Sequence, residues 1–192
     1  MAGTYDLLGT ATASGGAMSL GVDSIPQTYN DLVVIFEACG DNSGNENMNG
    51  YIRFNDITSS DYVMQTMYSA YTTGTTRANM YISQVGPGTY FQIYKMPTGS
   101  GNNNWGTYKI TIPNYRRLHQ PSGTNYQIAL LEMNCKQDDF TGVAYSNGFG
   151  WASWSLASDN SVAINKVEYT GNNQSFGLQA GASMRVYGIK NS

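Results

Sequence analysis

The stretch "DLVVIFEA", residues 31–38, decides the fold class. It follows Pro26, which fixes its own φ and favours an extended conformation for the residue before it, so no helix continues through this region. Along the stretch, one face carries Leu32, Val34, Phe36 and Ala38, and the other carries Val33, Ile35 and Glu37. Eight residues rich in β-branched and aromatic side chains predict a strand that is buried on both faces over much of its length.

A polar tract, "CGDNSGNENMNG" at residues 39–50, follows this strand directly. Glycine and asparagine provide turn conformations and backbone hydrogen bonds but little apolar area, so the tract cannot pack a core. Long ordered loops of this kind are usually held by something outside themselves. We therefore expect a neighbouring protein to order this tract and the second long polar tract, "PTGSGNNNWG" at residues 97–106.

The rest of the chain repeats the pattern of short strands between Gly, Asn, Ser and Asp clusters. Runs with period-two character are found at 5–12, 17–22, 31–38, 51–55, 62–70, 79–85, 90–96, 107–112, 126–135, 142–146, 151–156, 163–169 and 182–189. No helix of ordinary length is indicated, and no fixed-period repeat points to a propeller or a β-helix. The sequence predicts one all-β domain over residues 1–192, a two-sheet antiparallel sandwich of jelly-roll type with extra edge strands.

The strand at residues 126–135, "YQIALLEMNC", has one nearly apolar row. We expect this row to face the core; its members are Gln127, Ala129, Leu131, Met133 and Cys135. Glu132 belongs to the opposite row, which places it on the outer face of the sheet or on a surface covered by another subunit.

The composition limits the classes of partner. Charged residues make up only 12% of the 192, while the chain has 22 Gly and 15 Tyr, a balance that suits large and partly polar protein contacts. The net charge is −3, without the clustered Lys and Arg that nucleic-acid binding needs. No apolar run is long enough to span a membrane, and no secretion signal is visible. Without such a signal, Cys39 and Cys135 are expected to be buried free thiols rather than a disulfide.

Few residues are candidates for chemistry, so we expect no enzyme activity, no cofactor and no metal. His119 is the only histidine, and no nucleophile motif accompanies it. Glu132, Asp138 and Asp139 could form a glycosidase carboxylate pair, but "KQDDFTG" is typical of a solvated turn. The tract 41–47 resembles a calcium loop only in its alternating oxygen ligands, and it lacks the glycine and final glutamate of an EF-hand.

The residues that we expect to bind a partner lie in the two polar tracts. Trp105 is the predicted anchor because a loop indole can insert into a neighbouring protein or stack on a sugar ring. The remaining members of this predicted contact set are Asn103, Asn104, Asn45, Asn47 and Tyr51. Trp151 and Trp154 are three residues apart on a strand, so one is expected in the core and the other on the surface or in an interface.

Four phrases occur in an order that resembles a known family. They are "SIPQTYNDLVV" at 24–34, "IRFNDITSSDY" at 52–62, "ITIPNY" at 110–115 and "GASMRVYGIK" at 181–190. Together they resemble a β-sandwich module of tailed-bacteriophage structural proteins, found in head-decoration proteins and in tail and fibre proteins. The family implies no shared catalytic residues. Its "RFN" phrase corresponds here to Arg53, Phe54 and Asn55, and these positions are expected to determine the fold rather than to form a site.

The resemblance implies a structural virion protein, expected on the virion surface after assembly in the host cytoplasm. The first hypothesis is a capsid decoration or cement protein that binds the major capsid protein on the head. The alternative is a tail or fibre-tip receptor-binding module that recognises a host surface glycan. An enzyme that degrades polysaccharide is the third. The initial Met and the end just after the last strand favour a free-standing module. We also expect a homo-oligomer, with a trimer favoured.

Overall fold

The computed structural model describes residues 4–41, 48–58, 62–71, 78–98, 105–116, 126–136, 145–155, 163–171 and 177–190. These residues form strands joined by turns and bends, without a helix. In chain order the strands are β1 (Thr4–Thr12), β2 (Ser19–Val22), β3 (Asp31–Ala38), β4 (Met48–Phe54), β5 (Tyr62–Tyr71), β6 (Ala78–Gly88), β7 (Phe91–Met96), β8 (Gly106–Ile112), β9 (Tyr126–Lys136), β10 (Tyr145–Ser155), β11 (Val167–Gly171) and β12 (Ser183–Lys190).

The strands form two antiparallel sheets. The large sheet has the order β1-β12-β3-β8-β9-β10-β5-β6, and the small sheet has the order β2-β11-β4-β7. One continuous core of buried side chains is drawn from both sheets. The predicted all-β, two-sheet antiparallel sandwich is therefore confirmed, and its described strands exceed the eight of a simple jelly roll.

The core between the sheets is rich in aromatic side chains. Phe36 of β3 stacks on Tyr169 of β11 with ring centroids 5.0 Å apart, and it also lies 5.9 Å from the ring of Tyr108 on β8. All three side chains are fully buried. Because each such ring removes a large apolar area from water, this contact between the sheets is a main source of stability.

Strand alternation places side chains as the sequence predicts in β3 and β9. In β3, Val33 on the outer face is only 3% exposed, whereas Ile35 and Glu37 on the same face are partly exposed, so the predicted burial on both faces holds only at Val33. In β9, the apolar row with Leu131 and Met133 is buried, while Glu132 is exposed on the outer face. The predicted assignment of one row of β9 to the core and of the other row to the outer face is confirmed.

The expectation of separate strands at 142–146 and 151–156 is wrong, because residues 145–155 form the single strand β10. Gly148 and Gly150 lie inside that strand and face inward, where a Cβ would crowd its neighbours. A Cβ at Gly148 would lie 2.5 Å from the carbonyl oxygen of Met67, and one at Gly150 would lie 2.8 Å from that of Gln65. These glycines allow close strand packing and do not end the strand.

The family-like phrases contribute to turns and to packing between elements. Asn55 and Asp56 have φ of 52° and 57° in a tight turn after β4, where the Ile57 N–H donates to the Phe54 carbonyl at 3.0 Å. The Tyr115 hydroxyl donates to the Pro26 carbonyl, and its ring is fully buried. The expectation that "RFN" lies in the framework agrees with this geometry.

The described ends of the two polar tracts lie side by side at one end of the sandwich. The Gly40 N–H donates to the Pro97 carbonyl at 2.8 Å, and Gly40 also bridges to Thr98. Residues 48–50 belong to β4, so the first tract is shorter than the sequence indicated. The chain's own hydrogen bonds therefore hold these ends. Residues 42–47 and 99–104 lie outside the described residues.

Both cysteines are buried free thiols, as predicted. The Cys135 thiol donates to the Tyr108 hydroxyl at 3.1 Å. Burial raises the pKa of each thiol to about 12, so neither is a thiolate at neutral pH.

Candidate functional site

The outer face of the large sheet carries an unusual set of exposed apolar side chains. Among the described residues, all the large exposed hydrophobic side chains except Met18 lie on this face: Tyr5, Leu7, Ile128, Leu130, Phe149 and Trp151. Strand alternation explains their direction, because each is one residue out of phase with the core-facing row of its own strand. An exposed apolar patch of this kind marks an interaction site more often than a lone exposed leucine does.

The strand register aligns part of this set into a row across six strands. The row, which we call the neutral band, consists of Leu7, Tyr187, Val33, Thr111, Leu130 and Trp151, each paired with the next. Five strand spacings of about 4.8 Å give the neutral band a length of roughly 24 Å. None of its members carries a charge, so the band can be desolvated without burying an ion.

The central strands of the outer face differ in how exposed their side chains are. On β9 and β10, Ile128, Leu130, Phe149 and Trp151 are 48%, 49%, 60% and 42% exposed. On β3, by contrast, Val33 is almost fully covered, and Thr111 beside it on β8 is partly buried. Among the four central strands, the bulky exposed side chains therefore lie on β9 and β10, and the smaller or covered ones lie on β3 and β8. Tyr5 and Leu7 are exposed at the far edge of the sheet, on β1.

On one side of the neutral band, four charged side chains form two ion pairs, and on the other side Asp31 accepts a hydrogen bond from the Asn114 N–H at 2.8 Å. The Lys109 ammonium lies 2.7 Å from the Glu132 carboxylate across β8 and β9, and the Arg185 guanidinium pairs with Glu37 across β12 and β3. Both pairs are partly exposed, so each contributes little to the stability of the fold. Their main effect is to leave this part of the face close to electrically neutral.

Strand β10 presents its aromatic rings outward because its inward side is occupied. Gly148, Gly150 and Ala152 alternate with Phe149 and Trp151, and the side chains and backbone of β5 and β9 fill the space beneath the glycines. The large residues therefore point to solvent while the small ones point to the core. This inverts the usual arrangement.

The structure describes two of the six residues predicted to bind a partner. Trp105 is half-buried, packs against the core, and would contact a Cβ at Gly181 through Cη2 at 3.8 Å. Tyr51 is buried, and its ring stacks on Tyr90 with centroids 3.6 Å apart. Asn45, Asn47, Asn103 and Asn104 lie outside the described residues. Trp105 and Tyr51 thus pack within the fold itself, and a partner-binding role for the six predicted residues stays a prediction.

Sequence reasoning placed Glu132 on an outer or covered face and anticipated that Trp151 or Trp154 would be at the surface. Of these two tryptophans, the structure describes the side chain of Trp151, and it is exposed. The neutral band itself was missed. Its signal is the second row of "YQIALLEMNC", where Ile128 and Leu130 precede Glu132 on the face opposite the core.

The candidates for chemistry do not converge in the part of the chain that the structure describes. Glu132 is paired with Lys109, whereas His119, Asp138 and Asp139 lie outside that part. Of the calcium-like tract 41–47, only Asp41 is described. Within the described ranges there is no group of three or more His, Cys, Asp and Glu that could hold a metal, and no helix long and apolar enough to cross a membrane.

Comparison with known proteins adds little. No protein-family model matches the chain, and no curated protein matches it. One solved structure, the "CBM2 module of Lactobacillus casei BL23 phage J-1 evolved Dit", aligns with 8% identity over 100% of this chain and 82% of that chain, with a TM-score of 0.17. A TM-score this low does not establish a common fold.

Proposed function

We propose that the protein is a structural virion protein of a tailed bacteriophage that acts by burying the outer face of its large sheet against other virion protein. The observation that carries the proposal is the neutral band with its exposed leucine and tryptophan. The order of the four family-like phrases supports the phage assignment. In its most specific form, the proposal is a decoration or cement protein on the head surface that also binds major capsid protein, without enzymatic activity.

The energetics of the outer face suit such a role. The exposed parts of Ile128, Leu130, Phe149 and Trp151 amount to roughly 400 Å² of apolar surface. At about 25 cal/mol per Å², covering them provides on the order of 10 kcal/mol before the costs of association are subtracted. That is enough to anchor a contact, and repetition over many copies would add avidity.

The experiment compares two serine variants in assembled particles. Leu130→Ser removes an apolar side chain that is 49% exposed within the neutral band, and Met18→Ser removes one that is 45% exposed outside the outer face. We expect Leu130→Ser to lower the number of copies on purified particles and Met18→Ser to leave it unchanged. Equal occupancy for wild type and both variants would overturn the proposal.

Copy number also separates the head from the tail. A decoration protein is present in numbers comparable to the capsid subunits, whereas a tail or fibre protein is present in far fewer copies. Quantitative mass spectrometry of purified virions measures this ratio directly. Absence of the protein from purified virions would contradict a virion location altogether.

One observation favours the alternative of a tail or fibre-tip module that binds a host glycan. Phe149 and Trp151 are exposed two residues apart on one face of β10, and flat aromatic rings stack on sugars. Leu130 beside Trp151 is aliphatic and offers no hydrogen bond to hydroxyl groups, and Glu132 beside Phe149 is already paired with Lys109, which favours protein contact. Under the alternative, Trp151→Ser particles keep full occupancy but lose adsorption to host cells.

A further inference from the structure

We infer that the outer face of the large sheet packs against the same face of a second copy of this chain, about a two-fold axis that runs parallel to the strands between β8 and β9. The inference rests on the proposed function, because it names the occupant of the outer face. It follows from the strand order of the large sheet and from the exposure and charges of the side chains on its outer face.

The position of the axis follows from the strand order. The boundary between β8 and β9 is the midline of the eight-stranded sheet, with four strands on either side. Rotation about this line keeps each residue at its height along the strands, so β8 of one copy covers β9 of the other and β3 covers β10. The four central positions of the neutral band, on β3, β8, β9 and β10, then lie along the same positions of the second copy, while β12 and β1 cover β5 and β6.

The exposure of the side chains on the central strands suits this rotation. Because β9 and β10 lie on the opposite side of the midline from β3 and β8, the exposed side chains of one pair of strands meet the covered side chains of the other pair. Leu130 faces Thr111 of the second copy, and Trp151 faces the covered Val33. In the next row, Phe149 faces Ile35. Large exposed side chains thus meet covered or partly buried ones, as two packed sheets require.

The charges are complementary under the same rotation. Lys109 on β8 and Glu132 on β9 are directly paired across the midline, so Lys109 of each copy faces Glu132 of the other. The two intramolecular pairs become a ring of four alternating charges. No like charges oppose one another in this row, which removes the usual electrostatic obstacle to pairing identical surfaces.

The size of the face is adequate for a stable dimer. A face roughly 24 Å wide and about 20 Å high along the strands projects to on the order of 500 Å². Side-chain relief raises the accessible area toward the ~800 Å² per partner of a standard interface. With its apolar centre and neutralised charges, the outer face resembles half of an obligate interface more than a free surface.

The test uses charge reversal at the midline. Lys109→Glu places two glutamates on each copy, and Glu132→Lys places two lysines. In the two-fold dimer each single variant then opposes like charges, so we expect the dimer dissociation constant of each to rise about tenfold or more. When the two variants are mixed, every facing pair is again opposite in sign, and a heterodimer forms with nearly wild-type affinity.

Light scattering and native mass spectrometry, with one variant isotope-labelled, measure the species formed by the full chain. Wild type is expected at twice the 20.9 kDa chain mass. Lys190→Glu and Asp23→Lys make the same changes in net charge at exposed positions off the outer face and should remain dimeric. Circular dichroism checks that all variants stay folded.

Each outcome decides the inference. Recovery of a heterodimer from two self-repelling variants supports face-to-face pairing. A wild-type monomer at high concentration, a trimer, or a mixture that fails to pair would overturn it. If the mixture fails while Leu130→Ser still lowers particle occupancy, the outer face binds capsid protein, and the proposed function survives without the dimer.

Discussion

The turn at Asn55 offers a quantitative test of whether the family-like "RFN" phrase determines the fold. The Asn55 side chain accepts hydrogen bonds from the Asn165 and Lys166 N–H groups at 2.8 and 3.1 Å, and its amide donates to the Ala163 carbonyl at 3.1 Å. These bonds connect the end of β4 to the segment that enters β11. Its φ of 52° also lies where asparagine is tolerated better than alanine.

The expected losses separate these two effects. Asn55→Ala removes three partly exposed hydrogen bonds, at a cost of roughly 2–3 kcal/mol, and adds about 1 kcal/mol of backbone strain. Asn55→Gly removes the same bonds without the strain, so it should be less destabilising by about 1 kcal/mol. Asn55→Asp keeps the two accepted bonds and should cost the least of the three. The order of stability is then Asn, Asp, Gly, Ala.

Urea denaturation followed by tryptophan fluorescence measures these differences, provided that the m-value stays constant. For a domain of this size, the alanine variant should also melt about 10 °C lower. Asp56→Asn is the matched control in the same turn, because Asp56 shares the positive φ and its exposed ion pair with Lys166 contributes less than about 1 kcal/mol. Equal stability of the Ala and Gly variants would refute the strain component. A loss below 1 kcal/mol in Asn55→Ala would refute the whole account.

Four further changes test the core and the site. Burial raises the pKa of Cys39 and Cys135 to about 12 from an ordinary value of 9. The contribution of the thiols to folding stability should therefore be full below pH 9 and fall between pH 9 and 12, by at most about 1.4 kcal/mol per pH unit per thiol. The variant with both cysteines changed to alanine should show a shallower fall in urea titrations. Tyr169→Phe should be neutral or stabilising by about 1 kcal/mol, because the buried hydroxyl has no hydrogen-bond partner among the described residues; a loss above 1 kcal/mol would reveal one. Gly150→Val should destabilise by more than about 3 kcal/mol in the same assay, since its Cβ meets the backbone of β5; a loss below 1 kcal/mol would contradict that crowding. Trp105→Ala should cost about 2 kcal/mol of folding stability because the indole packs on the core, and an unchanged fold with reduced particle occupancy would instead identify a contact residue.

The sequence was sufficient to predict the sandwich because alternation in β3 and β9 encodes which side chains face the core. Leu131 and Met133 are buried in the structure as the pattern indicates, and Glu132 is not. Strand order could not be predicted in this way, because pairing between strands distant in sequence leaves no local pattern. Three of the six strands that form the neutral band, β1, β3 and β12, are far apart in the chain, so the alignment of Tyr187 beside Leu7 and Val33 could not be foreseen.

The glycines of β10 caused the error in the predicted strand boundaries. In "GFGWASWS" the glycines at 148 and 150 resemble strand breakers, and the sequence therefore predicted two short strands. The requirement for glycine arises from neighbours, since the space beneath β10 is filled from β5 and β9. Trp105 shows the converse case: its polar surroundings in sequence predicted an exposed loop indole, whereas the structure packs the ring partly against the core.

The inversion of β10 gives the strongest reason to expect that the outer face is covered. A one-residue slip of register would turn Phe149 and Trp151 inward and the glycines outward, which in isolation would gain roughly 1.5–3 kcal/mol for each buried ring. That slip is blocked because Met133 and Thr66 already occupy the space beneath the strand. The chain thus fills its core without these two rings and leaves them at the surface, where a lone copy gains nothing from them. Burial against another protein surface would recover that apolar free energy, and in the proposed two-fold arrangement the rings of Trp151 and Phe149 meet the covered Val33 and the partly buried Ile35 of the facing sheet. Under the proposed two-fold pairing, the low charge of the chain and the outward aromatics of β10 have one explanation, a large sheet whose second face is completed on assembly.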